Sequence, residues 1–209
     1  MAKWPNVPHC YGWLALDARG TWRMRDEAAQ RADAPGDKLT NTALVGFINR
    51  NYLADERGCW YFQNGPQRVY VNLEATPFIA RTDPQQGLVL QTGQASGAIE
   101  QVFMTEAGAI VVRAGNVLAQ IDDRDMAQLL QLMTLDGRPV ADDALMGWLE
   151  NDAQQGTSGK LVLRWQDRQL EVERLAAEQV PQRLGYVQRP DRLTGTGTGT
   201  GTGSDTAAK

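Results

Sequence analysis

One histidine, His9, and two cysteines, Cys10 and Cys59, are all that this 209-residue chain offers of the side chains most used for nucleophilic and metal chemistry. Any histidine-based dyad or triad must use His9. Its neighbour Cys10 projects to the opposite side of an extended segment, which makes a His9–Cys10 dyad geometrically awkward. There is no CxxC, no HExxH and no carboxylate-rich calcium loop, so no metal and no other cofactor is expected. No GxGxxG follows a strand pattern, and the Thr-Gly alternation at 194–203 lacks the lysine of a phosphate-binding loop. No apolar run approaches the roughly 20 residues that cross a bilayer. The opening MAKWPNVPHCYGW holds no apolar signal core, so reduced thiols and a cytoplasmic address are expected. Positive charge is scarce too. Lysine and arginine number 21 against 25 aspartates and glutamates, for a net charge of −4, which gives no bulk attraction to nucleic acid or anionic membrane.

What is present is an ordinary globular composition, 42% hydrophobic and 22% charged, in a length that suits one large domain or two small ones. Six tryptophans must be buried or used for binding. The strongest local pattern is WYFQNGPQRVYVNLEATPF, Trp60 to Phe78. Two β-rich runs flank Asn64-Gly65, a dipeptide suited to a tight hairpin. Val69, Val71 and Leu73 then alternate with Arg68, Tyr70 and Asn72, which predicts a half-buried strand. Pro77 ends or redirects it, having no N–H for the ladder.

Upstream, Tyr11 to Asp17 and Thr21 to Arg25 read as strands joined by Asp17-Ala18-Arg19-Gly20, a type I turn signature. The phrase D-x-R-G-x-W returns at Asp55 to Trp60, and Thr105 to Gly108 is a looser echo. A polar loop is expected over Asp26 to Lys38. After it, a helix capped near Thr40 to Thr42 presents Leu44, Val45, Ile48 and Tyr52. Thr82 to Gly87 marks a boundary. Beyond it the pattern predicts short strands at Leu88 to Gln91, Ala98 to Met104, Ala109 to Arg113 and Val117 to Ile121. A helix then carries Met126, Leu129, Leu130 and Met133, and a second spans Asp143 to Glu150. A hairpin follows over Leu161 to Arg174. The expected fold is α+β: an antiparallel sheet or β-roll with a packed helix at 1–82, and a β-rich half with two helices at 88–190. The Thr/Gly-rich tail at 193–209 is expected to be disordered, having nothing apolar to offset its ordering entropy.

Three chemistries remain open. Asp17, Asp55 and Glu74 stand at strand ends, where Asp17 or Glu74 could act as acid or base in a cleft between the halves, although Asp17 and Asp55 already have work as turn-openers. Trp22, Arg23 and Arg25 with Arg68 and Tyr70 faintly resemble a platform for RNA, set against the acidic total. Arg68, Tyr70 and Asn72 project together as a cation, an aromatic ring and an amide, a convergence that marks ligand contact.

The segments YGWLALDARGTW, LVGFINRNY and WYFQNGPQRVYVNLEATPF together resemble a family of uncharacterised proteobacterial proteins that form a domain of unknown function. More distantly, the first 80 or so residues are similar to a second uncharacterised family with a P-x-x-x-x-V-x-V-x-x-x-P-F phrase, here Pro66, Val69 or Val71, Pro77 and Phe78. The resemblance implies a compact two-part α+β protein with a roll-like β element and carries no catalytic residues. The expected function is non-enzymatic: a binding or regulatory module for a small molecule or a protein partner, without membrane.

Overall fold

Asp-x-Arg-Gly-x-Trp folds the same way both times. Asp17 Oδ1 accepts the N–H groups of Arg19 and Thr21 at 3.0 and 2.8 Å, while Gly20 N donates to Asp17 O. Asp55 Oδ1 accepts from Arg57 and Cys59 at 3.0 and 2.9 Å, and Gly58 N donates to Asp55 O. Thr105 repeats the arrangement with its hydroxyl, which accepts from Ala109 N at 3.1 Å. In each corner a short side-chain acceptor satisfies backbone donors that the turn leaves unpaired. The computed structural model describes residues 7–150 and 159–191; the 193–209 tail lies outside them.

These corners organise two mixed sheets. The first has six strands: Cys10–Leu16 (β1), Trp22–Met24 (β2), Asp37–Lys38 (β3), Tyr52–Ala54 (β4), Trp60–Asn64 (β5) and Gln67–Leu73 (β6), in the order β3-β2-β1-β6-β5-β4. β1 and β6 run parallel, with a register shift between Cys10 and Leu14. The second has nine: Phe78–Asp83 (β7), Gly87–Leu90 (β8), Gln101–Met104 (β9), Ile110–Ala114 (β10), Val117–Ile121 (β11), Met133–Leu135 (β12), Arg138–Pro139 (β13), Leu161–Trp165 (β14) and Arg168–Arg174 (β15). Their order is β13-β12-β14-β15-β9-β10-β11-β7-β8, with parallel joints at β15–β9 and β11–β7. The fold is therefore α+β and rich in strand, with mixed rather than purely antiparallel sheets. Thr82 to Gly87 forms the corner of the β7–β8 hairpin.

The helices are Glu27–Arg31 (α1), Thr42–Arg50 (α2), Met126–Leu130 (α3), Asp142–Glu150 (α4) and Val180–Leu184 (α5). α2 starts as its sequence suggests, with Asn41 Oδ1 accepting from Leu44 N at 3.0 Å, and buries Ile48. Four expectations need correcting. The 26–38 segment is not a featureless loop: Asp26 caps α1 by accepting from Ala29 N at 2.7 Å, and Asp37–Lys38 pairs as an edge strand. α1 buries no residue, so no apolar periodicity announces it. The helix expected to reach Met133 stops at Leu130, because Met133 pairs with Leu163 across β12–β14. Likewise Tyr52 belongs to β4, not to the helix before it. A third helix, α5, joins α3 and α4 after residue 88, beginning with Pro181 in its first turn and closed by Gly185 at φ 79°.

Two cores result. One lies between the nine-stranded sheet and α3 and α4, filled by residues such as Val102, Met104, Ile110, Ile121, Leu129, Leu161 and Trp148. The other joins Leu14, Leu16, Val71 and Leu73 of the first sheet to Ile79, Phe103, Val111 and Leu118 of the second, with Val180, Leu184 and Tyr186 closing it. This shared core holds the seam along which the candidate site lies.

Candidate functional site

Strand alternation sends Val69, Val71 and Leu73 of β6 into or against the shared core, leaving Arg68, Tyr70 and Asn72 on the other side. That side is not an open sheet face. Tyr70 is only 2% exposed, because Tyr11 stacks on it at 4.7 Å between ring centroids, His9 meets it edge-on and Tyr61 lies beside it. The Tyr70 hydroxyl donates to Asp55 Oδ2 and accepts from Arg57 Nη2, each at 3.1 Å. Burial would raise the Asp55 carboxyl, yet hydrogen bonds from the Arg57 side chain, the N–H groups of Cys59 and Arg57 and the Tyr70 hydroxyl outweigh it and hold Asp55 below the usual carboxylate range. Burial pushes the Tyr70 phenol up. Arg68 lies with its guanidinium 4.5 Å from the centre of the Tyr61 ring. Arg68 and Tyr70 thus form part of a closed aromatic and ionic cluster that braces the hairpin.

Asn72 stands elsewhere. Ala15 of β1 pairs with Asn72 on one side and with Arg23 of β2 on the other, which places all three in one row across the sheet. Above that row the 33–35 segment and Arg189 enclose a cleft of about 220 Å³. Asp17 and Glu74 line it as well, so the structure brings together Asp17, Glu74, Asn72 and two of the arginines noted from sequence, Arg23 and Arg25.

The walls are braced by charge. Arg23 Nε donates to Asp17 Oδ2 at 2.8 Å, and its Nη1 to Gly36 O at 3.2 Å. Arg25, 7% exposed, donates from Nε to Ala34 O at 2.9 Å and from Nη2 to Asp33 Oδ1 at 2.9 Å. Asp33 sits at φ 48°, an uncommon conformation for a residue with a side chain. Its other oxygen accepts from Arg189 at 3.0 Å, and Arg189 followed by Arg25 holds its carboxyl below the usual range. Glu74 Oε2 accepts from Ala18 N at 3.0 Å. What these contacts leave unspent is specific. Among the described residues the Asn72 amide, Arg23 Nη2 and Glu74 Oε1 make no hydrogen bond. A cation, an amide and a carboxylate oxygen therefore face one half-enclosed space with capacity to bind.

Asp17 is less free than Glu74. Its oxygens accept from Arg19 N, Thr21 N and Arg23 Nε, so it is a turn-opener and an anchor for Arg23. Arg189 carried no signal in the sequence, since it follows the last recognisable hairpin by 15 residues. Asp33 was hidden within a polar stretch without periodicity. Trp13 is 40% exposed and lies outside the cleft lining; Trp4 falls outside the described residues. Among the described residues no helix is long and apolar enough to cross a membrane.

Two solved structures are distantly similar to the chain. A DUF1285 family protein from Silicibacter pomeroyi DSS-3 is 15% identical, covers 84% of this chain and 86% of its own, and has a TM-score of 0.46. A second DUF1285 family protein, from Shewanella baltica OS155, is 10% identical over 56% of this chain and 88% of its own, with a TM-score of 0.40. No curated protein matches. Residues 1–191 match the family described as "Protein of unknown function (DUF2946)", and the chain belongs to that family.

Proposed function

Starting from a family whose description names no reaction, we propose that the chain is a non-enzymatic cytoplasmic binding module that takes a small polar ligand in the cleft of Arg23, Asn72, Glu74 and Arg189. The observation that carries this reading is the set of polar atoms in the cleft that no other described side chain occupies. Asn72 is half-buried without a hydrogen-bond partner among the described residues, so its amide is open to a ligand. Arg23 and Arg25 are fixed by their carboxylate and carbonyl partners, so little side-chain entropy is lost when a ligand arrives. Arg68 and Tyr70 support the same strand from beneath the N-terminal segment, and Asn72 alone of the three meets the ligand.

An acid/base enzyme at Asp17 or Glu74 is the other reading of this cleft. It is weakened by the three donors that occupy Asp17. The cleft also has no excess of positive charge for RNA, since Arg23, Arg25 and Arg189 face Asp17, Asp33 and Glu74.

The test is a thermal-shift screen against a pool of polar metabolites, with Asn72→Ala beside the native chain. Asn72 supports no other residue through its side chain, so the variant is expected to fold. A stabilising hit that weakens at least tenfold in Asn72→Ala supports the module. Hits that bind both proteins equally, or no hit at all, overturn it.

A further inference from the structure

The cleft does not end at Glu74. A second cavity of about 490 Å³ shares Asp17, Arg23, Pro35 and Glu74 with it and extends to Gln120. A third, of about 210 Å³, shares Ala18, Glu74 and Gln120 with the second. Its walls are largely apolar: Ala75, Ala107, Ala109, Val111 and Val180, with Tyr186 beside them. Glu74 lines all three. The result is a groove along the seam of the two sheets: arginines and carboxylates are paired at one end, Arg19 and Arg23 stand with Asp17, Glu74 and Asp123 in the middle, and the far end is largely apolar.

Asn72 lies in β6 and Glu74 one residue past its end, so their Cα atoms are at most about 7 Å apart. An extended dipeptide spans about the same distance. From this geometry we infer that the ligand is a short peptide with a free carboxylate, bound in a fixed direction. The inference rests on the binding reading above and adds its ligand class. The carboxylate meets Arg23 Nη2, the Asn72 amide and Arg189, a set suited to charge-assisted and forked hydrogen bonds. On the ligand's first residue, a free ammonium meets the unspent Glu74 oxygen. The aliphatic side chain of that first residue enters the chamber of Ala107, Ala109, Val111 and Val180. A monovalent anion would engage the arginines and Asn72 only, whereas Glu74 offers a second, water-exposed contact. A zwitterion two residues long answers both ends.

Calorimetric titration with Leu-Gly, Gly-Gly, N-acetyl-Leu-Gly and free leucine tests this. Leu-Gly is expected to bind at least tenfold tighter than Gly-Gly, since each buried methylene contributes about fourfold. N-acetylation, which removes the ammonium, is expected to weaken binding tenfold or more in the native chain and little in Glu74→Gln. Free leucine, too short to reach both ends, is expected to bind more weakly than Leu-Gly. Ala107→Trp, an exposed loop position that tolerates bulk, should cancel the advantage of Leu-Gly over Gly-Gly. If peptides bind without preference for the aliphatic residue or the ammonium, while Asn72→Ala still abolishes a hit from the metabolite screen, the peptide inference falls and the binding module stands. If no peptide binds and the screen yields no hit, both fall.

Discussion

Replacing Arg174 with methionine should stabilise the protein. Arg174 ends β15, pairs with Met104 and lies on the face of Val172, toward the larger core. All three guanidinium nitrogens are shut off from solvent without a hydrogen-bond partner among the described residues. Their compensating contact among those residues is the Trp148 ring, 4.5 Å from the guanidinium carbon. A desolvated cation–π pair contributes about 2 kcal/mol, whereas an unpaired buried ion costs several kcal/mol. Desolvation wins. Methionine keeps the length and much of the packing against Trp148 while removing the charge, so a net gain of about 1–3 kcal/mol is expected, in the range of about 1–4 kcal/mol seen when buried ions are replaced by apolar residues. With a urea m-value of about 2 kcal/mol/M, the midpoint should rise by roughly 0.5–1.5 M at an unchanged slope. Arg174→Lys, which keeps a charge there and loses the planar stack, should gain nothing. Urea denaturation followed by tryptophan fluorescence and circular dichroism reads both variants. A methionine variant less stable than the native chain by more than about 1 kcal/mol would show that the guanidinium contributes net stabilisation, and the reasoning would be wrong.

Acid should loosen the joint between β7, β11 and α3. Arg124 holds Asp122 below the usual carboxylate range, and Arg81, donating from Nε and Nη2 at 2.9 Å each, does the same for Asp125. Both folded values lie beneath the unfolded value of about 3.9, so their contribution is full above that pH and drains as pH falls through the folded values. Asp125→Asn should cost about 2 kcal/mol at pH 7, the scale of a charged hydrogen bond, and flatten the loss of stability between pH 5 and pH 2; a denaturation series with parallel curves for both proteins would contradict this. Gly58→Ala should cost at least about 2 kcal/mol, since φ is 76° and the added methyl would stand 2.5 Å from Gly185 O, where α5 meets the hairpin. Gly65→Ala, at φ 56° with open space around it, should cost only about 1 kcal/mol. Equal losses at the two positions in thermal denaturation would refute the packing argument.

How much was legible from residues alone depended on the range of the signal. Asp17, Asp55 and Thr105 act within five residues, so their corners could be read directly, as could the Asn41 cap and the alternation of β6. Turn detail slipped by one position: the β5–β6 loop residues are Gly65 and Pro66, because Asn64 still pairs with Gln67. α1 and α5 went unseen because short helices with little or no buried stripe have no period to detect. Met133 fits a helical stripe and yet belongs to a strand, its partner Leu163 lying 30 residues away. In the site, Asn72 was legible as a polar strand residue, but its separation from Tyr70 was not.

The sequence by itself determined the local grammar: which segments extend, where they turn, which face of each strand is apolar, and that the protein has little histidine or thiol chemistry to draw on. The tertiary structure alone decided that β1 and β6 lie parallel, that Tyr70 is sealed beneath Tyr11, and that Arg23, Asn72, Glu74 and Arg189 face one cleft. The reason is physical. Turns and alternation arise from hydrogen bonds and sterics between near neighbours, whereas a cleft exists only where distant segments fail to fill space, and that depends on how the whole core closes.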